Sequence, residues 1–167
     1  MSSQSQQPKA RKDGQHGFSL IELLIVVAVI LVIAAIAIPN FIRSKMRANE
    51  ASAVQNLRTI TTANAIYLTT YGHGFASSLA HLGGNAVIVD STAAGLIDSV
   101  LSGGFKSGYS FTYTVTATDV TGAVNGYAVN AQPMNVGATG VNYFYTDQTA
   151  IIRQNSTAAA GPSDPPI

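Results

Sequence analysis

The stretch Gly17-Phe18-Ser19-Leu20-Ile21-Glu22-Leu23-Leu24 decides the reading of this chain. It sits where a short charged leader gives way to a long apolar run. Across the 21 residues from Phe18 to Ile38 only Ser19 and Glu22 are polar, and from Leu23 to Ile38 no side chain is. As a helix rising 1.5 Å per residue, the run would be about 30 Å long, the thickness of a bilayer hydrocarbon core. Ile and Val are modest helix formers in water, but in lipid every backbone polar group must be satisfied within the segment, so helix is the expected state. A buried helix of a soluble protein is the competing reading, and core helices rarely run this far without charge. A conventional secretory signal is another, since Lys9, Arg11 and Lys12 against Asp13 make a basic leader. Such a signal is cut after its apolar segment. Here Ala34, Ala35 and Ala37 are followed by Pro39, Asn40 and a further helical pattern, so the apolar run belongs to the working protein.

Pro39 has no amide hydrogen and is expected to kink or loosen the helix near Ala35. Beyond it Val54, Leu57, Ile60, Leu68 and Tyr71 recur at helical spacing, with Asn64 as a polar interruption. Arg43, Lys45, Arg47, Glu50, Gln55 and Arg58 fill the polar positions. This predicts an amphipathic helix over 39–71, ending at Gly72 or Gly74. A glycine-rich stretch follows, with a short helix expected from Thr92 to Leu101, capped by Ser91 or Thr92 and apolar at Leu96, Ile97, Val100 and Leu101.

The period then changes to two. Tyr109, Phe111, Tyr113 and Val115 alternate with Ser110, Thr112, Thr114 and Thr116, a half-buried strand. Tyr127, Val129 and Ala131 form a second, Val141 to Tyr145 a third and Thr149 to Arg153 a fourth, with Thr146-Asp147-Gln148 as the last turn. The expected fold class is α+β: a long N-terminal helix, membrane-spanning in its first half, packed against a small C-terminal antiparallel sheet. The divisions are a leader over 1–17, an apolar helix over 18–38, an amphipathic helix over 39–71, a globular part over 72–153 and a flexible tail over 154–167.

Composition excludes several functions. The chain is 47 % hydrophobic and 10 % charged, with no cysteine, so disulfides and thiolate metal sites are unavailable. Without the leader, six bases face seven acids, a near-neutral balance that gives no case for nucleic-acid binding. His73, His81 and Asp90 lie on glycine-rich loops without metal-ligand spacing, and Asp119 and Asp147 have no acidic cluster around them for calcium. Neither a metal nor a cofactor is assigned. Asn155-Ser156-Thr157 matches a glycosylation sequon, a pattern frequent by chance. No nucleophile, acid–base pair or phosphate loop is visible, so an enzyme is not expected; a single-span membrane enzyme is the distant alternative.

The motif Gly17-Phe18-Ser19-Leu20-Ile21-Glu22-Leu23, the apolar run and Pro39 resemble the start of type IV prepilins and major pseudopilins, closely over residues 14–60 and in architecture beyond. That resemblance implies cleavage after Gly17 and methylation of the new amino group on Phe18 by a prepilin peptidase and N-methyltransferase. It further implies a single-pass precursor in the bacterial inner membrane with a cytoplasmic N-terminus, an assembly platform there, and self-assembly into a helical filament. Three bases flank each end of the apolar run, so charge does not orient it; the resemblance does. Glu22, one turn inside the helix, is read either as snorkelling to lipid headgroups or as pairing with the amino group of Phe18 on a neighbouring subunit. The function expected is the structural subunit of a type IV pilus for surface attachment or twitching motility. The alternative is the major pseudopilin of a type II secretion system. Pro39 marks either a fixed bend or a stretch that loosens when lipid is exchanged for filament.

Overall fold

The computed structural model describes residues 17–84 and 90–167. The leader reading and His16 therefore lie outside the described residues, save for Gly17. The chain forms two compact units, Met1–Pro39 and Asn40–Ile167. A single assigned helix, α1 (Leu20–Tyr71), contributes to both and contains Pro39.

In the first unit, the large apolar side chains from Phe18 to Ile38 are between 46 % and 80 % exposed. The segment is apolar on every side and long enough to cross a membrane. A helix of that kind needs lipid or other helices around it.

In the second unit, α1 buries Ala53, Leu57, Ile60, Ala63 and Tyr67, together with Asn56 and Asn64. The expected stripe is corrected at one position: Leu68 is exposed and Tyr67 is buried. At 100° per residue, the eight-residue step from Ile60 to Leu68 drifts about 80° off the face, whereas Asn64 and Tyr67 stay on it. The helix ends at Tyr71, and Gly72, at φ 68°, donates its N–H to Leu68 O at 3.1 Å. That left-handed position favours glycine.

Two single-turn helices follow. Ser78 caps α2 (Leu79–Leu82), and Asp98 caps α3 (Ser99–Ser102) by accepting from Val100 N and Leu101 N at 3.1 and 3.0 Å. The helix expected from Thr92 is thus only its last turn. Gly95 adopts φ 63°, which interrupts helical geometry, and Asp98 supplies the cap in place of Ser91 or Thr92. Ile97 and Leu101 still reach the core, while Val100 is exposed.

The sheet is an antiparallel meander, ordered β1 (Phe105–Lys106), β2 (Tyr109–Thr118), β3 (Val124–Pro133), β4 (Tyr143–Asp147) and β5 (Arg153–Asn155). Tyr113 opposes Val129, Asn130 opposes Tyr145, and Phe144 opposes Gln154. Leu57 and Ile60 of α1 share one core with Tyr109, Phe111, Tyr127, Val129 and Phe144. This is the α+β architecture the pattern of apolar residues requires. The fourth expected strand is displaced towards the C-terminus. Asp147 Oδ1 accepts from Thr149 N at 2.9 Å, and Ala150, at φ 62°, donates to Asp147 O at 3.0 Å, so residues 147–150 form a turn and pairing resumes only at Arg153.

The segment from Gln154 onward, expected to be loosely ordered, makes defined contacts instead. Gln154 N donates to Pro165 O and Ile167 N to Ile152 O, both at 3.1 Å. Ala160 is buried against Ala128 and Tyr145 on the outer face of the sheet, and Asn130 Nδ2 donates to Ala160 O at 2.8 Å. Pro165 and Pro166 lack amide donors, which suits them to an edge position where only their carbonyls are needed.

Candidate functional site

At the N-terminal motif, Ser19 precedes the first helical residue, and Leu23 N donates to its carbonyl at 3.2 Å. Glu22 reaches back so that Oε2 accepts from Ser19 N at 3.2 Å. This is half of a capping box: an acid at the third helical position satisfies one of the amide donors that a helix start leaves open. The positive end of the helix dipole adds to it. Glu22 thus has a local partner in the isolated chain. The Ser-x-x-Glu spacing carried that signal, and the sequence reading overlooked it.

Phe18 is 78 % exposed. An added Cβ on Gly17 would meet no atom within 4 Å, so folding alone does not require glycine there. Pro39 sits inside α1 at the last residue of the first unit.

The second unit carries two polar constellations that were read only as helix surface or as an interruption. Glu50 Oε1 accepts from Val141 N at 2.8 Å and Asn142 N at 3.1 Å, and Oε2 accepts from Asn142 Nδ2 at 3.1 Å. Asn49 Nδ2 donates to Thr139 O at 2.8 Å. Together they fasten the loop before β4 to the helix. Asn64, fully buried, accepts from Ala76 N at 3.2 Å and Tyr113 Oη at 3.1 Å, and donates to Ile60 O at 3.2 Å. Nothing in a single sequence distinguishes such residues from ordinary solvent-facing ones.

The acids considered for metal binding are engaged in turns. Asp90 Oδ1 accepts from Thr92 N at 2.8 Å, Thr92 Oγ1 at 2.7 Å and Ala93 N at 3.1 Å. Asp119 binds Thr121 and Ala123 in the same way. The threonine hydroxyl, followed by the backbone amides, holds each carboxyl below its ordinary range. His81 Nδ1 lies 3.0 Å from Ser77 Oγ. Among the described residues, no group of three His, Asp or Glu side chains is placed to hold a metal.

The described residues thus place an acid one turn inside an exposed apolar helix, headed by an exposed Gly-Phe pair. Residues 12–38 match the prokaryotic N-terminal methylation motif. Over 54 residues the chain is 49 % identical to the type IV major pilin protein PilA of Myxococcus xanthus, covering 32 % of this chain and 24 % of that protein. It is 41 % identical over 51 residues to the type IV wide pilus major component PilA4 of Thermus thermophilus, covering 30 % of this chain and 39 % of that protein. It is 33 % identical over 55 residues to the type II secretion system core protein G of Escherichia coli, covering 33 % of this chain and 38 % of that protein. The chain therefore spans well under half the length of the relatives it matches. No solved structure matches it.

Proposed function

We propose that this chain is the structural subunit of a type IV pilus, serving surface attachment or twitching motility. The observation that carries this reading is the methylation motif at the head of a helix whose large apolar side chains are exposed. Hydrolysis between Gly17 and Phe18 by a prepilin peptidase frees a Gly17 carboxylate and a Phe18 amine. Transfer of a methyl group to that amine from a methyl donor releases one proton. Before assembly, residues 18–38 hold the subunit as a single pass in the bacterial inner membrane, with the leader in the cytoplasm. There it meets the assembly platform.

Assembly replaces lipid around this helix with the helices of other copies, which is why an exposed apolar surface is needed. The openness around Gly17 supports a steric requirement outside the fold, at the peptidase, where a side chain beside the scissile bond would obstruct entry. Glu22 then exchanges its bond to Ser19 N for the ammonium group of Phe18 on a neighbour, a charge-assisted contact that sets axial register. No catalytic role is proposed. The match to a type II secretion core protein favours, as the second reading, the major pseudopilin of a secretion system.

Mass spectrometry of the N-terminal peptide in filaments sheared from the cell surface tests this. Abundant chain beginning at methylated Phe18 is expected. Processed chain confined to the inner membrane would favour the pseudopilin, and residues 1–17 retained in every fraction would defeat both readings.

A further inference from the structure

In the Asn40–Ile167 unit, bases gather where α1 enters it. Arg43, Lys45 and Arg47, all exposed, stand near its start. Among the described residues none of them is in an ion pair, and the ion pair formed is Lys106 with Asp98, at 2.7 Å. The acid nearest to them on the helix, Glu50, is spent on the Val141 and Asn142 amides. Strand β2 runs beside the helix in the same sense, since Ser107 Oγ meets Ser52 Oγ at 2.8 Å and Tyr113 Oη meets Asn64 further along. The β2–β3 turn therefore lies at the opposite end, where Phe75 N binds Val124 O at 2.8 Å. Counting helix rise below Ser52 and strand rise beyond Tyr113, Arg47 and Asp119 are separated by about 40 Å. Asp119 opens that turn, and Val120 beside it is fully exposed. Asp119 spends Oδ1 on its own turn, while Oδ2 has no hydrogen-bond partner among the described residues. Asp90 stands towards the same end, next to Ser91, whose carbonyl accepts from Tyr67 Oη at 2.7 Å.

We propose that the Arg43, Lys45 and Arg47 end of this unit docks onto the Asp119 turn of a second copy. The proposal rests on the reading of the chain as a filament subunit and names a surface for it. The occupant is a second copy because every copy carries both halves of the match: exposed bases at one end, and at the other a carboxylate whose Oδ2 has no hydrogen-bond partner among the described residues. A contact between different patches on identical chains is heterologous, so it repeats without closing and propagates a filament. Being exposed, it works mainly through orientation and rejection of wrong registers, and salt screens it.

The test uses the full chain in cells, with sheared filament yield measured against the amount of processed subunit. Arg43→Glu with Arg47→Glu reverses the basic end; neither side chain has an ion pair among the described residues to lose. Asp119→Asn with Val120→Lys reverses the turn while keeping its Oδ1 acceptor. Each pair alone is expected to lower yield about tenfold by placing like charges together, and the four changes combined are expected to restore it. Wild-type filaments with neither reversal affecting yield would overturn the contact alone. Loss in the basic-end variant that the turn reversal fails to rescue would also overturn it, assigning the bases to anionic lipid headgroups. Absence of wild-type filaments would remove the subunit reading and this contact with it.

Discussion

At Glu22 the observed bond and the proposed pairing draw on the same carboxylate. In the isolated chain its carboxylate satisfies Ser19 N–H, which stabilises the helix start without help from any partner. Removal of the leader would place an ammonium group one residue before Ser19, creating a stronger partner for the same carboxylate on an adjacent copy. A hydrogen bond to a charged group contributes about 1.5–3 kcal/mol. Glu22→Ala should therefore leave membrane insertion and leader removal intact and lower filament yield about tenfold or more, read by comparing sheared filaments with total processed subunit. Normal yield from that variant would rule out the pairing. Asn64 makes the complementary point. Its polarity inside an apolar stripe was legible, but its role was not, because Ala76 and Tyr113 reach it from elements distant in sequence.

Among the elements, the C-terminal segment departs furthest from its composition. Ser, Thr, Ala and Pro between Gln154 and Ile167 give no periodic signal. Order comes instead from Asp164, whose Oδ1 accepts from Asn155 Nδ2 at 3.0 Å and Oδ2 from Gly161 N at 2.8 Å, while its carbonyl accepts from Arg153 Nη1 at 2.7 Å. These bonds hold the chain end across β5 and over Ala128 and Tyr145, in a protein that has no cysteine to staple it. Asp164→Ala leaves the Asn155 and Gly161 donors without their acceptor, at a cost of about 1–3 kcal/mol to local closure. Limited proteolysis should then cut between residues 156 and 163 faster than in the wild type, with the rest of the sheet protected. Equal cleavage rates would mean that the packing of Ala160 and the backbone-carbonyl bonds of Ala160, Asp164 and Pro165 secure the segment without the Asp164 carboxylate.

For the molecule as a whole, ionisation limits the pH range of stability on both sides. Asp98 is held below its ordinary range by its hydrogen bond to Lys106 Nζ and by the Leu101 amide. Burial raises Asp147, but its bonds to the Thr149 hydroxyl and amide outweigh that and lower it overall. Carboxyls with depressed native values stabilise the fold above their unfolded values, and that contribution is lost as pH falls through the native ones. Burial raises Tyr109, Tyr113 and Tyr127, so their contribution is complete below the unfolded tyrosine value of about 10 and is lost as pH rises beyond it. Thermal melts of the full chain in detergent should give a Tm that is flat from about pH 5 to about pH 9 and falls on either side. A Tm unchanged well above the tyrosine range would show that these phenols are not buried.

The sequence by itself determined the membrane-length helix, the motif at its head and the α+β class, because hydrophobic run length and the change of period from helix to strand are local properties that survive without tertiary information. The exact apolar face of α1, the short α2 and α3, the turn at Asp147 and the closure of the tail were decided by the tertiary structure. Each depends on a partner far along the chain or on a glycine or aspartate whose backbone geometry only the folded surroundings select. The fastening of Val141 and Asn142 by Glu50 is of the same kind: a polar helix residue becomes an anchor only when the sheet brings two amides to it.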